Sequence, residues 1–338
     1  MIKRFRWSMA VLVCVFSSVG AARAQTVKVT PLGSAAGEFS ALDRALLFED
    51  PTGVRILYDP GLTVSPTDSR LGVVHAILVN HGHGDHFGST PAIAQAKNAA
   101  FIGAPNLSSF VGRKIQAMTG VPTPPCPPAP PGFGFNEMTV PRPGPCTALL
   151  GISGSRVVTM GGSGVVIATV PANHDSSAAA AAVSDPLKTE LATDGLSAYL
   201  DPANGFALKF TNGLSVYLTG DTGLTAEMDS IIREFYRPSL MVINIGDLFT
   251  TGPEAAAFAT TQLVRPRAVI PSHANEQATA GGNVVAGSRT ARFIAAVTGE
   301  HHDDGDEGNG RKRIRVHVPR SGITMEFDAR GTCVNGCS

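Results

Sequence analysis

Several things are scarce in this sequence, and each scarcity removes a class of protein. Tryptophan occurs once, at Trp7, and none of the five cysteines is spaced as CxxC, which argues against a zinc-thiolate module. The main apolar run, Met9 to Val19, is shorter than the roughly 20 residues a membrane-spanning helix needs. Positive charge is not in excess, with 27 Lys and Arg against 27 Asp and Glu. Neither nucleic acid nor an anionic membrane is therefore the expected partner.

The amino terminus accounts for part of that balance. Lys3, Arg4 and Arg6 precede the apolar run, and Ala22-Arg23-Ala24 follows it as a small-x-small site before Gln25. This is the pattern of a cleaved export signal, with an uncleaved anchor as the alternative. Residues 1 to 24 hold four basic and no acidic residues, so 23 basic residues then face 27 acidic ones, a formal charge of −4. Trp7 and Cys14 leave with the signal, and mature protein should lack tryptophan absorbance. A periplasmic or secreted location follows as the expectation. The remaining 314 residues, drawn from a chain 43% hydrophobic, suffice for a substantial core. Four cysteines remain, allowing three pairings in an oxidising compartment. Cys126 with Cys146 and Cys333 with Cys337 are favoured because each pair is close in sequence.

What the chain does have is a dense cluster, Asn80-His81-Gly82-His83-Gly84-Asp85-His86. Three imidazoles and a carboxylate within six positions are a metal-site composition suited to zinc and related divalent ions. Val73–Val79 just before it is apolar and β-branched and reads as a buried strand. The ligands thus sit on a loop at a strand end.

The rest of the chain repeats that arrangement. Thr26–Thr30 alternates like a strand, and Ala45–Glu49 with Val54–Tyr58 flanks Asp50-Pro51-Thr52-Gly53 as a hairpin. Asp59 follows, in a turn-forming Asp-Pro-Gly that ends the second strand. Helix is expected over Ala92–Ala99 and strand over Phe101–Ala104, an alternation that suggests a layered α/β domain. Val121–Pro131 is too rich in proline for helix or central strand. It opens an insert from about 120 to 146, read as a surface loop before a lid. Strands resume at Arg156–Met160 and Val165–Val170, the second running into Pro171-Ala172-Asn173-His174. An Ala-rich insert spans about 176 to 203, helical over Ala178–Val183. Phe206–Phe210 and Leu214–Leu218 flank Thr211-Asn212-Gly213, a hairpin signal, and deliver Gly220-Asp221-Thr222-Gly223. Helix over Leu224–Phe235, strand over Leu240–Ile245, and helix from Thr251-Gly252-Pro253-Glu254 to about Val264 come next. Strand Ala268–Pro271 ends at Ser272-His273. Helix is expected over Ser288–Thr298, a polar loop over Glu300–Gly310, and a terminal hairpin from Arg313–Val318 and Ile323–Phe327. The fold domain would run from 25 to 330, with a tail carrying the Cys333, Cys337 pair. His75 and His317 read as strand residues, and His301 and His302 as parts of the solvated loop.

His81-x-His83-x-Asp85-His86, Pro-Ala-Asn-His174, Gly-Asp221-Thr-Gly and Ile270-Pro-Ser-His273, taken together, resemble the metallo-β-lactamase fold superfamily. Within it they look like the UPF0173 and L-ascorbate-6-phosphate lactonase-like branch, over about residues 26 to 298. The resemblance implies an α/β (α+β) fold, a four-layer αββα sandwich with these strand ends along one edge. It also implies two divalent ions, zinc first and manganese or iron as alternatives. His81, His83 and His174 would hold one, Asp85, His86 and His273 the other, and Asp221 would bridge them, while Asp59 is either a support for the metal loop, as the resemblance implies, or a turn carboxylate. Two ions about 3.5–4 Å apart would share a water of lowered pKa for hydrolysis, with Asp221 and Asp85 as the catalytic carboxylates and Asp85 relaying a proton. The implied substrate is a small ester, lactone or phosphoester. Hydrolysis of a cyclic amide and metal binding without turnover are the alternatives, the former weakened because the β-lactamase branch lacks the bridging aspartate. A homo-oligomer stays open. The sequence departs from the family at Asn80, usually a small hydroxyl residue, at Ala274-Asn275-Glu276, and in both inserts. The lactonase substrate belongs to a cytoplasmic enzyme and does not carry over to an exported chain.

Overall fold

In the computed structural model, residues 25–128, 130–299 and 313–337 are described. The export signal expected over 1–24 and the loop Glu300–Gly310 with His301 and His302 lie outside them. Among the described residues no helix is long and apolar enough to cross a membrane.

Side-chain alternation within the strands decides the layering. Successive residues of a strand face opposite ways, so Phe48, Ile56, Leu78 and Ile102 point inward with Phe206, Leu208, Val216, Val242 and Ile270 from a second sheet. The intervening Leu47, Leu57, Ile77 and Phe101 point outward, under helices that contribute Ile93, Leu107, Val111 and Ile115. On the other sheet Tyr217, Met241, Ile243 and Val269 face outward to Met228, Ile232, Ala256, Phe293 and Val297. Sheets apolar on both faces must be covered on both. The result is the expected four-layer αββα sandwich. Truncating a wholly buried ring such as Phe101 to alanine would cost about 3–5 kcal/mol.

Each sheet has eight strands. The first runs in the order Cys333–Asn335, Met325–Phe327, Val27–Leu32, Ala45–Glu49, Arg55–Tyr58, Ala76–Leu78, Ala100–Gly103, Cys146–Leu149. The second runs Arg315–Val316, Ala268–Ser272, Leu240–Asn244, Ser215–Leu218, Asn204–Lys209, Gly164–Pro171, Ser155–Thr159, Glu137–Thr139. Ser215–Leu218, Leu240–Asn244 and Ala268–Ser272 are mutually parallel. Gly164–Pro171 shares their direction, because Asn204–Lys209 between them is antiparallel to both neighbours. Their carboxyl ends, and those of Arg55–Tyr58 and Ala76–Leu78, feed the loops of the site.

Several local expectations are corrected. Arg315–Val316 and Met325–Phe327 do not form a hairpin: the first pairs with Ala268–Val269 and the second with Val27–Val29 in the other sheet. The turn at Ser321 and Gly322 crosses between the layers. Ala178–Val183 is helical only in a single 3-10 turn. Ser177–Ala179 pairs with Ser197–Tyr199, Ala180–Ala182 makes one tight turn, and the helix lies at Leu187–Asp194, since alanine's helix propensity is a weak prior against available strand pairing. Pro105–Thr119, left unassigned from sequence, is a 15-residue helix.

Among its described residues the proline-rich run has no regular structure apart from one bridge at Pro125. Cys126 N–H donates to Thr147 O and Thr147 N–H to Pro124 O, while a disulfide joins Cys126 to Cys146. The run therefore lies along the outermost strand of the first sheet, where prolines, lacking donors, end the ladder. Within the same segment Glu137–Thr139 closes the edge of the second sheet. The other disulfide joins Cys333 to Cys337.

Candidate metal centre

The motif loop leaves the first sheet after Leu78 and turns through a four-residue helix, Gly84–Phe87, that carries Asp85 and His86. Gly61 seals its base, donating to His86 O at 2.9 Å and accepting from Ser89 N–H at 2.8 Å. A Cβ at Gly88 would come within 2.0 Å of Gly61 O, so the approach requires glycine there.

The structure brings all seven expected residues together in two groups. His81, His83 and His174 form the first, and Asp85, His86, Asp221 and His273 the second, the ligating atoms of each lying within 4.8 Å of one another. In the first, His81 Nε2 and His83 Nδ1 are 2.8 Å apart. Two imidazole nitrogens so placed share one proton at most and are otherwise two lone pairs facing one point. In the second, Asp85 Oδ2 stands 3.2 Å from His273 Nε2 and 3.5 Å from His86 Nε2. Asp221 joins the groups: its Oδ2 is 3.0 Å from His273 Nε2, 3.3 Å from His86 Nε2 and 3.9 Å from His174 Nε2.

Four other residues fix these ligands, and sequence reasoning gave three of them no role. Buried Asp59 accepts from Asn80 N–H with Oδ1 and pairs with His86 Nδ1 through Oδ2, both at 2.8 Å. That is the supporting position considered for it, and it leaves His86 Nε2 facing the site. Asn80, noted only as a departure, is a buried hub. Its Nδ2 donates to Asn204 O, its Oδ1 accepts from Asp221 N–H at 2.8 Å, and His81 Nδ1 lies 2.6 Å from the same oxygen. A carbonyl partner assigns the proton to His81 Nδ1 and leaves Nε2 as the lone pair. Gly220, at φ +61°, makes the room, since a Cβ there would fall 1.9 Å from Asn80 Nδ2. Arg44 donates from Nε and Nη2 to Asp85 Oδ2 at 3.2 and 3.1 Å and from Nη2 to Asn275 Oδ1 at 2.8 Å. Asp175 Oδ2 lies 3.3 Å from His83 Nε2 and accepts from Ser177 Oγ at 2.8 Å. Only Asn80's place inside the motif could have pointed to it; Arg44 and Asp175 carry no local pattern. His75, by contrast, accepts from Arg55 N–H at 3.0 Å within the first sheet and takes no part.

Electrostatics separate the groups. Burial pulls His86 down, but the Asp221 and Asp59 carboxylates outweigh it and push its pKa up to about 10. Burial opposes ionisation of Asp221 and Asp85 too, yet His86 and His273, joined at Asp85 by Arg44, hold both well below the usual carboxylate range. Burial lowers His81 and His174. Among the described residues His86 Nε2 and Asp221 Oδ1 are buried without a hydrogen-bond partner. Buried polar atoms are seldom left so, and a nitrogen and oxygen donor set with its other atoms already anchored fits divalent cations.

Comparison with known proteins agrees with this geometry. The family described as Beta-lactamase superfamily domain matches residues 54–274. A UPF0173 metal-dependent hydrolase of Cupriavidus taiwanensis is 33% identical over 264 residues, covering 75% of this chain and 80% of the relative. Igni18, a metallo hydrolase from the archaeon Ignicoccus hospitalis, superposes with a TM-score of 0.55 at 23% identity, over 90% of this chain and all of that one. Zinc-bound PqqB from Methylobacterium extorquens superposes with a TM-score of 0.50 at 10% identity, over 88% and 99% of the two chains. At those identities the structural likeness is one of fold. The family match and the curated relative together place this chain in the β-lactamase superfamily, in its UPF0173 branch of metal-dependent hydrolases.

Proposed function

We propose that the protein is an exported dinuclear hydrolase, most readily of zinc, acting on a small ester, lactone or phosphoester. The observation that carries this reading is the position of Asp221 Oδ2, within 3.0 to 3.9 Å of imidazoles from both groups. Divalent ions held by His81, His83 and His174 and by Asp85, His86 and His273, with Asp221 between, would lower the pKa of a bound water and polarise the scissile group.

The chain's own residues supply the rest. Asp59, Asn80 and Arg44 hold the ligands in one arrangement, so little reorganisation is left for the reaction. Asp85 is the carboxylate a substrate proton reaches, since its side chain is 31% exposed and that of Asp221 only 5%. That suits the proton relay proposed for it. Export is supported by the sequence pattern of residues 1–24 and by two disulfides, which persist in oxidising compartments. A small molecule is the expected partner, with no nucleic acid and no stable membrane anchor.

The test is metal content per mature chain together with hydrolysis of an ester, lactone, thioester and phosphodiester panel after loading with zinc, manganese or iron. Two ions per chain and turnover lost in His83→Ala and Asp221→Ala are expected. Wild-type rates in those variants would refute the proposal. Nitrocefin turnover would favour a β-lactamase, and two ions with no turnover of any substrate would favour a metal-binding protein.

A further inference from the structure

Beside the first ligand group the chain does something costly. Asp247 and Leu248 are consecutive non-glycine residues at φ 58° and 62°, a region L-residues avoid unless the surroundings force it. Here they are forced. Asp247 Oδ2 accepts from Arg289 Nε at 3.1 Å, and the Asp247 side chain lies so close over Gly252 that a Cβ there would meet Oδ1 at 1.8 Å. Phe249 N–H donates to Asp247 O at 2.7 Å, and Thr251 N–H to Thr222 O at 3.1 Å, next to Asp221. The outcome of this bracing is exposure: Leu248 is 88% and Phe249 71% accessible.

Exposure alone would carry little, since Phe135 and Phe235 are equally open. What distinguishes the loop is its place. The main chain of Phe249 lies close enough to the His174 ring to oppose the lowering of its pKa by burial. Gly223 N–H donates to Asn173 O at 3.1 Å, which brings half-exposed Leu224 to the same histidine. Three exposed or half-exposed large apolar residues thus stand on two loops whose main chains meet the His174 segment. The nearby arginines offer no free charge, for Arg44 is paired with Asp85, and Arg289 with Asp247 and Glu276. A rim of this chemistry favours an uncharged, apolar group over a phosphate.

We propose that Leu224, Leu248 and Phe249 form a substrate-binding lip, and that the substrate is an uncharged ester or lactone bearing an apolar chain or ring. The proposal rests on the hydrolytic reading above and narrows it. Leu248 and Phe249 are specificity-determining residues, braced in place by Asp247, Arg289 and Gly252.

The test uses mature, metal-loaded protein with p-nitrophenyl acetate, p-nitrophenyl octanoate and bis(p-nitrophenyl) phosphate. Wild type should favour octanoate over acetate by about tenfold or more in kcat/KM, and a Leu248→Ser, Phe249→Ser double variant should lose about tenfold of that ratio. An unchanged ratio in the variant, or a preference for the phosphodiester, overturns the lip. If none of the three is turned over, calorimetric binding of the uncharged p-nitrophenyl octanoate against p-nitrophenyl acetate decides on the lip, while the wider ester, lactone, thioester and phosphodiester panel decides on the hydrolytic reading. Octanoate binding weakened about tenfold in the variant supports the lip, and equal binding in both proteins overturns it.

Discussion

The two ligand groups are built on opposite electrostatic plans. The first, His81, His83 and His174, contains no carboxylate, and the acid beside it, Asp175, has a side chain 67% exposed. The second combines Asp85 and Asp221 with His86 and His273, and the Asp59 and His86 side chains that anchor it are each 2% exposed. Buried charges are tolerable only when paired and hydrogen-bonded, and here they are, through Asp59 to His86 and Arg44 to Asp85. The fold therefore fixes the second group before any ion arrives, whereas the first leans on a loop at the surface. From charge alone, the second group should take up a cation first. Stepwise calorimetric loading would show one tight and one weaker binding event.

Removing what the groups share should do the most damage. Asp221→Ala is expected to cost on the order of 10³-fold in kcat, about 4 kcal/mol of barrier, and to lower metal content at both groups. Loss at one group alone would show that Asp221 does not join them. Next comes Asn80, whose amide oxygen accepts from Asp221 N–H and faces His81 Nδ1. Asn80→Ala should weaken both binding events by about 10–100-fold, the usual cost of losing a partner behind the ligands. Asp59→Asn should weaken only the tighter event by a similar factor, because Asp59 reaches His86 and not the imidazoles of the first group. If Asp59→Asn weakened both equally, the assignment of Asp59 as an anchor of the second group alone would fail.

These supporting residues mark where the sequence stopped being legible. The seven expected ligands each follow an apolar strand run, and strand direction alone gathers such positions at one edge of a sandwich. Short apolar, β-branched runs bounded by turn residues likewise exposed the inner strands of both sheets. Arg44 lies 41 positions from Asp85, with nothing local to link them, and Asn80 looked like a simple substitution because its three partners come from separate segments. The pairing partner of Arg315–Val316 and the strand Ser177–Ala179 escaped for the same reason. Arg315–Val316 and Ser177–Ala179 exist through pairing with distant chain, and two or three residues carry too little pattern of their own. Pro105–Thr119 was obscured differently: Leu107, Phe110, Val111 and Ile115 keep helical spacing, but Ser108, Ser109 and Gly112 interrupt it.

In the metal-free protein the groups should also respond oppositely to pH. His86 is raised from about 6.5 to about 10 in the folded state, so its contribution is fully present below about pH 6.5 and is lost as pH rises through about 10. His81 and His174 are lowered by burial. The unfolded chain then takes up their protons first, and stability falls as pH drops below about 6.5. Thermal melts of the chelated protein should therefore decline on both sides of neutrality. His86→Gln should flatten the alkaline limb and His81→Gln the acid limb, each by about 5 °C in Tm at the extreme. A single limb lost in both variants would mean the groups titrate as one.

The smallest expected effect belongs to Asp175. Its carboxylate is 3.3 Å from His83 Nε2 and holds Ser177 Oγ at 2.8 Å, a link from the first group to the small Ser177–Ala179 and Ser197–Tyr199 hairpin. Because the pair is open to solvent, its strength is limited to that of an exposed ion pair, at most about 1 kcal/mol. Asp175→Ala should weaken the second, looser binding event by about two- to fivefold, leave the tight event alone, and grow less distinct from wild type as salt is raised. An effect as large as that of Asp59→Asn would mean that the first group is fixed as firmly as the second, through the hairpin instead of through the core.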